Sequence, residues 1–196
     1  MKQLVLASSN PGKLKEFGEL LAPFDFELRP QSAFAVADAE EPHATFVENA
    51  LAKARHAARC TGLPALADDS GLCVAALGGA PGVWSARYAG EPKSDQRNND
   101  KLLADLDGQS DRRAHYYCVL VLLRHGEDPE PLVATGAWHG EIMRSPRGSG
   151  GFGYDPLFLL PEFGCSAAEL ASERKNALSH RGQAMLQLAE QLRRQR

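Results

Sequence analysis

Asp68, Asp69 and Ser70 stand together where a short apolar run ends, and they are the residues of this sequence best suited to chemistry. Two adjacent carboxylates repel, and a counter-charge is needed to hold them together. A divalent cation would supply it. Hard oxygen ligands of this kind suit magnesium, which takes one or two carboxylates and completes its shell with water and phosphate. Neighbouring side chains of an extended chain point to opposite faces, so the two aspartates should have different tasks. A solvated Asp pair on a loop is the competing reading. Glu40-Glu41 forms a second acidic pair shortly before a helix, where acids also simply complement the helix dipole. Lys13 closes the loop Ser8-Ser9-Asn10-Pro11-Gly12-Lys13 and Lys53 lies on a helix face with Asn49. Loop N–H groups at a helix N-terminus, with a lysine beside them, could receive phosphate; an ordinary strand-to-helix turn and a solvated face are the alternatives.

A second set lies toward the C-terminus. His180 and Arg181 supply directional donors, and arginine pairs bidentately with planar acceptors. Terminal-helix residues of these types are also common on plain surfaces. Phe152 and Tyr154 flank glycines in a loop, which suits a ring presented to a base or packed into a core.

Three familiar motifs fail on context. Gly148–Gly153 matches G-x-G-x-x-G, but Pro146 precedes it and a strand-like Tyr154–Phe158 follows, where a dinucleotide site needs a strand before and a helix after. Gly12-Lys13 lacks the first glycine and the Ser/Thr of a P-loop, since Ala7 and Leu14 stand there. No serine sits in G-x-S-x-G.

The elements that must position these residues are readable from periodicity. Lys2–Ala7 is a short buried strand, Ser8–Gly12 a breaker cluster followed by a helix with Leu14, Phe17, Leu20 and Leu21 at helical spacing, and Phe26–Arg29 a second strand. Thr45–Gly62 is the clearest helix, with a Thr45/Glu48 capping box and a terminal glycine. Ala65–Ala67 reads as a short strand that runs into Asp68-Asp69-Ser70-Gly71. Ser94–Leu106 is helical, Tyr116–Leu123 a central strand, Leu132–Met143 a neighbouring strand or pair of strands and Pro156–Leu160 another. Helix is expected from Ala167 to Glu173 and from Leu178 onward. Strands and helices interleave without strict alternation, which makes an α/β or α+β fold with a mixed sheet, built as one domain over 1–196.

Composition narrows the class. Of the 196 residues 43% are hydrophobic and 24% charged, ordinary for a globular protein. A net charge of -3 argues against coating nucleic acid, which needs a basic surplus. The opening apolar run is too short for a signal-peptide core, and no stretch approaches the roughly 20 apolar residues of a spanning helix. Cys60, Cys73, Cys118 and Cys165 are scattered, without zinc-finger spacing, and read as buried free thiols of a reducing compartment. The expectation is a cytoplasmic protein with no membrane partner.

Taken in order, Ser8–Lys13, Thr45-Phe46-Val47-Glu48-Asn49-Ala50 with Lys53-Ala54, Ala67–Leu72, Gly78-Gly79-Ala80-Pro81-Gly82, Ser85-Ala86-Arg87-Tyr88, Gly150–Pro156 and Ser179-His180-Arg181 are far more specific than any one alone. The chain strongly resembles the Ham1/RdgB family of inosine and xanthosine triphosphate pyrophosphatases over essentially its whole length. The resemblance implies an elongated mixed sheet flanked by helices, two lobes with a central nucleotide cleft, and a homodimer. It implies hydrolysis of non-canonical purine nucleoside triphosphates to the monophosphate and pyrophosphate, with Mg2+. Ser8, Ser9, Asn10, Pro11, Gly12 and Lys13 would hold the triphosphate with Lys53 assisting. Glu40 and Asp69 would bind magnesium, Asp69 would also accept the proton of the attacking water, and Ser70 would contact substrate. Phe152, Gly153, Tyr154, Asp155, Lys175, His180 and Arg181 would form the base pocket. Ser8-Ser9 replaces the Thr-Gly or Thr-Asn of many relatives, Trp84 stands at a position often Tyr, and Arg174 precedes Lys175. Two other readings remain: a nucleotide-binding regulator without turnover, and a pyrophosphatase for pyrimidine or modified nucleotides.

Overall fold

The computed structural model describes residues 2–195, apart from the side chains of Pro11, Glu16 and Leu20. Seven strands form one mixed sheet: β1 (Lys2–Leu6), β2 (Phe26–Pro30), β3 (Ala65–Val74), β4 (Arg113–Leu123), β5 (Leu132–Ile142), β6 (Phe158–Leu160) and β7 (Cys165–Ser166), in the order β2-β1-β3-β4-β5-β6-β7. Among the described residues, five α-helices accompany them: α1 (Pro11–Leu21), α2 (Phe46–Thr61), α3 (Asp95–Asp105), α4 (Ser172–Leu178) and α5 (His180–Arg194). None is long and apolar enough to cross a membrane.

The opening strand–helix–strand makes a parallel crossover, with Leu4 of β1 opposite Leu28 of β2. Parallel pairing needs such a connection, and α1 provides it. β1 also pairs parallel with β3, and β6 runs antiparallel to both β5 and β7. Ends of the helices follow local chemistry. Thr45 accepts the Glu48 N–H, and Gly62 takes the left-handed conformation at φ 67° that closes α2. The capping box is not reciprocal, because the Glu48 carboxylate accepts from the Thr45 hydroxyl at 2.5 Å. Ser94 caps α3 by accepting from the Arg97 N–H.

The described residues form two compact units, one from Met1–Asp69, Cys118–Gly136 and Gln183–Arg196, the other from Ser70–Tyr117 and Ala137–Gly182. In the first, Leu4, Leu6, Phe17, Leu66, Leu120 and Leu188 are fully buried in one apolar cluster. In the second, Leu72, Leu102, Leu106, Leu157 and Phe158 form another, lined by Tyr116 and Trp138.

Three expectations need correction. β3 does not stop at Ala67: it continues through Asp68, Asp69, Ser70 and Gly71 to Val74. The C-terminal helix expected from Ala167 divides into a short 3-10 turn at Ala167–Glu169 and then α4. The four cysteines are not uniformly buried, since Cys60 at the end of α2 is exposed and Cys73 and Cys165 are half-buried; Cys118 alone of the four is in the core.

Candidate active site

β3 stays extended across its acidic pair because each carboxylate finds a different lysine. Asp68, 2% exposed, accepts from Lys13 Nζ at 2.8 Å. Asp69 accepts from Lys53 Nζ at 3.1 Å. The strand pleat sends neighbouring side chains to opposite faces, so one charge is compensated from α1 and the other from α2.

Lys53 also meets Glu41 at 2.5 Å, so one ammonium bridges two carboxylates. Burial alone would lower the Lys53 pKa, but Asp69, Glu41 and Asp68 overcome it and hold the ammonium above its ordinary value. Burial pushes the Asp69 carboxyl up; Lys53 pulls it back, Glu41 adds to the rise and the Asn49 amide opposes it. Asp69 Oδ2 is buried without a hydrogen-bond partner. Such an oxygen is costly to leave unmade, and a cation ligand would satisfy it. Hard carboxylate oxygens beside a lysine-bridged acid therefore fit magnesium. Glu40 itself is exposed, and its neighbour Glu41 is the acid that joins this group.

Asn49 is not on a solvated face. It is 1% exposed and holds the preceding loop by accepting from the His43 N–H and donating to the His43 carbonyl. His56, one turn beyond Lys53, contacts the Ala37 carbonyl of the same loop. The face of α2 that carries Asn49, Lys53 and His56 is thus covered by the segment that carries Glu40 and Glu41.

At the start of α1, Asn10 is the N-cap, and its Oδ1 accepts from the Gly12 and Lys13 N–H groups at 2.8 and 3.3 Å. These N–H groups are not free, as the loop's sequence suggested. An incoming phosphate would compete with an exposed amide for them, a smaller cost than desolvating buried groups. Ser8 accepts the Asn10 N–H, Ser9 is exposed, and Pro11 occupies the first helical turn, its side chain outside the described residues.

The second group is organised by Asp155, which is 3% exposed. Its Oδ2 accepts from the Phe152 N–H at 2.8 Å and Lys175 Nζ at 2.5 Å, and its Oδ1 from the Tyr116 hydroxyl at 3.3 Å. The turn needs glycine at 151: φ is 74°, and a Cβ there would lie 2.1 Å from Asp155 Oδ2. Gly153 is held from α3, its N–H by Asp95 at 2.7 Å and its carbonyl by Asn99 at 2.9 Å.

The two candidate rings separate. Phe152 is 62% exposed, with Lys175 Nζ 4.7 Å and the Arg181 guanidinium 5.6 Å from its ring centre. Tyr154 is buried and donates its hydroxyl to the Ser85 carbonyl, so it packs and is not presented. Arg181 donates to the Ser70 hydroxyl at 3.2 Å, and His180 stacks on Tyr116 with centroids 5.0 Å apart and planes 12° from parallel. Lys175, not Arg174, joins this group; Arg174 lies over Phe163. Trp84 is 53% exposed, with Arg87 over its ring.

Ser70, Phe152, Gly153, Asp155, Lys175, His180 and Arg181 thus cluster in the second unit, while Lys13, Lys53 and Asp69 belong to the first. Sequence reasoning missed Glu41 as the bridged acid, and also Tyr116, Asp95 and Asn99. The last three act through contacts 39 to 58 residues away along the chain, and nothing in their local sequence announces them.

Comparison with known proteins supplies the remaining findings. Residues 4–191 match the family model described as the Ham1 family. A protein named dITP/XTP pyrophosphatase from Ralstonia nicotianae is 63% identical over 196 residues, covering 98% of each chain. Another of that name from Nitrosomonas europaea is 63% identical, covering 98% of this chain and 95% of its own. Among solved structures, a HAM1 protein from Coxiella burnetii superposes with a TM-score of 0.96 at 52% identity, over 99% of this chain and 100% of its own.

Proposed function

The chain belongs to the Ham1 family, and on that premise we propose that it hydrolyses non-canonical purine nucleoside triphosphates, dITP or ITP and XTP or dXTP, to the monophosphate and pyrophosphate. The single observation that carries the chemistry is Asp69: a half-buried carboxylate with one oxygen on Lys53 and the other buried without a hydrogen-bond partner. Residues 1–196 work as one catalytic domain in the cytoplasm, as a homodimer.

Asp69 and Glu40, with Glu41 held beside them on Lys53, would bind Mg2+. When bound, the ion supplies positive charge to the phosphate oxygens. Lys13 and Lys53 keep ammonium donors beyond those spent on Asp68, Glu41 and Asp69, and these serve the triphosphate together with the Ser8–Lys13 loop. Water attacks the α-phosphorus. Its oxygen forms the new P–O bond, the α,β-bridging P–O bond breaks, the proton passes to Asp69, and pyrophosphate leaves. Burial and Glu41 make Asp69 a better base than a solvated aspartate, whose pKa is about 3.9.

Phe152 offers an exposed face to the purine. His180 and Arg181 are donors suited to the six-carbonyl of hypoxanthine and xanthine; adenine presents an amino group there, leaving buried donors unpaired. The polar His180–Arg181 pair favours this reading over a pyrimidine substrate. Pyrophosphate release from dITP, XTP, dATP, dGTP and dTTP, each with and without magnesium, tests it. Release from dITP and XTP that is lost without the metal is expected. Release mainly from dTTP would overturn the base assignment, and release from none would leave a nucleotide-binding regulator.

A further inference from the structure

Tyr116 lies outside the motifs that carry the family resemblance, yet it touches both halves of the base group. Its ring stacks on His180 at 5.0 Å and 12°, and its hydroxyl donates to Asp155 Oδ1 at 3.3 Å. On its other contacts it is set in an aromatic cluster, 4.7 Å from Phe158 and 6.4 Å from Trp138 between ring centres. Such a cluster leaves the ring no freedom to turn, because rotation would break several contacts at once.

We propose that Tyr116 is a positioning residue for substrate selection: its ring fixes the plane of His180 while its hydroxyl fixes the Asp155 carboxylate that holds Phe152. The inference rests on the functional reading above and deepens it. An imidazole that reads a carbonyl must present its nitrogen in a fixed direction, and a ring free to rotate about its side-chain bonds would lose that direction. Stacking on Tyr116 supplies the constraint. Asp155 in turn accepts the Phe152 N–H, so the same tyrosine restrains both the hydrogen-bonding and the stacking side of the base group. Burial, followed by the Asp155 charge, pushes the Tyr116 hydroxyl well above its ordinary value, and it stays a donor across the working pH range.

The two attachments can be removed separately. Tyr116→Phe keeps the ring and deletes the hydroxyl, so the preference for dITP over dATP should stand. KM for dITP should rise about 3- to 10-fold with kcat within about twofold, as expected when ground-state and transition-state binding are lost together. Tyr116→Leu deletes the stack as well, and the dITP-to-dATP ratio of kcat/KM should fall about tenfold or more below that of Tyr116→Phe. A merely structural residue would lower the folded fraction and hence the apparent kcat, without moving KM or the ratio. Tyr116→Phe with the native KM overturns the proposal, as does a folded Tyr116→Leu with the native ratio. If Tyr116→Leu does not fold, the KM of Tyr116→Phe decides alone. Native enzyme without preference for dITP overturns the functional reading and this proposal with it; native preference with unchanged variants overturns this proposal only.

Discussion

Replacing Asp155 tests how the loop of Phe152 is held. The carboxylate is 3% exposed and takes three donors: the Phe152 N–H, Lys175 and the Tyr116 hydroxyl. Asp155→Ala removes all three acceptor contacts and leaves Lys175, 15% exposed, without its partner. Breaking a buried pair from one side costs about 3–5 kcal/mol. Water reaches part of the ammonium, which reduces the figure to about 2–4 kcal/mol. Asp155→Asn keeps the shape. Its carbonyl can still accept the Phe152 N–H and its amide can donate to the Tyr116 oxygen, so only the ionic part is lost, about 1–2 kcal/mol. For a chain of this length each kcal/mol moves Tm by about 2–4 °C. The alanine variant should therefore melt about 10 °C below native and the asparagine variant about 4 °C below, without nucleotide. Both tryptophans, Trp84 and Trp138, belong to the unit that contains Asp155, so their fluorescence during urea unfolding reports the relevant transition. An alanine variant within about 1 kcal/mol of native would refute the account of Asp155 as the anchor. Equal losses for both variants would show that Lys175, not the turn's N–H, carries it.

Asp69→Asn should lower kcat for dITP at least about 1000-fold while KM moves less than about threefold, because only proton acceptance and metal charge are lost; steady-state kinetics with saturating magnesium checks both. Gly151→Ala should destabilise by about 2 kcal/mol or more in a urea titration, since φ of 74° strains alanine and its Cβ meets Asp155 Oδ2. Asp128 is buried in the β4–β5 turn, where its carboxylate accepts from the Arg124 side chain and from the Arg124 and Glu130 N–H groups. Arg124 holds that carboxyl well below the usual range. A depressed folded pKa stabilises above the unfolded value of about 3.9 and fades as pH falls through the folded one. Asp128→Asn should accordingly lower Tm at pH 7, and the deficit should shrink as melts are repeated below about pH 4.

Local chemistry was legible wherever a residue answers to its sequence neighbours. Thr45 and Gly62 mark both ends of α2 within a residue, and the apolar run at Tyr116–Leu123 locates most of β4. The Asp68–Gly71 stretch defeated the same reasoning. Its composition is that of a loop, and it remains strand because Lys13 and Lys53 arrive from 55 and 16 residues away to offset the charge. Glu40 and Glu41 are equivalent as residue types, and only the position of Lys53 distinguishes them. Phe152 and Tyr154 are likewise two aromatics beside glycines; Ser85, 69 residues from Tyr154, decides which one is buried.

The pleat of β3 has an outcome for what changes this stretch of chain can survive. Inserting or deleting one residue between Ala65 and Asp68 would exchange the faces of everything beyond it. Asp68 would then turn toward the side of Lys53 and Asp69 toward that of Lys13, while Ser70 would turn away from Arg181. All three side chains would still be present, and none would face its partner. Substitutions here can be graded in their effect, whereas a single-residue change of length is all-or-none, so the strand's length is held as tightly as its composition.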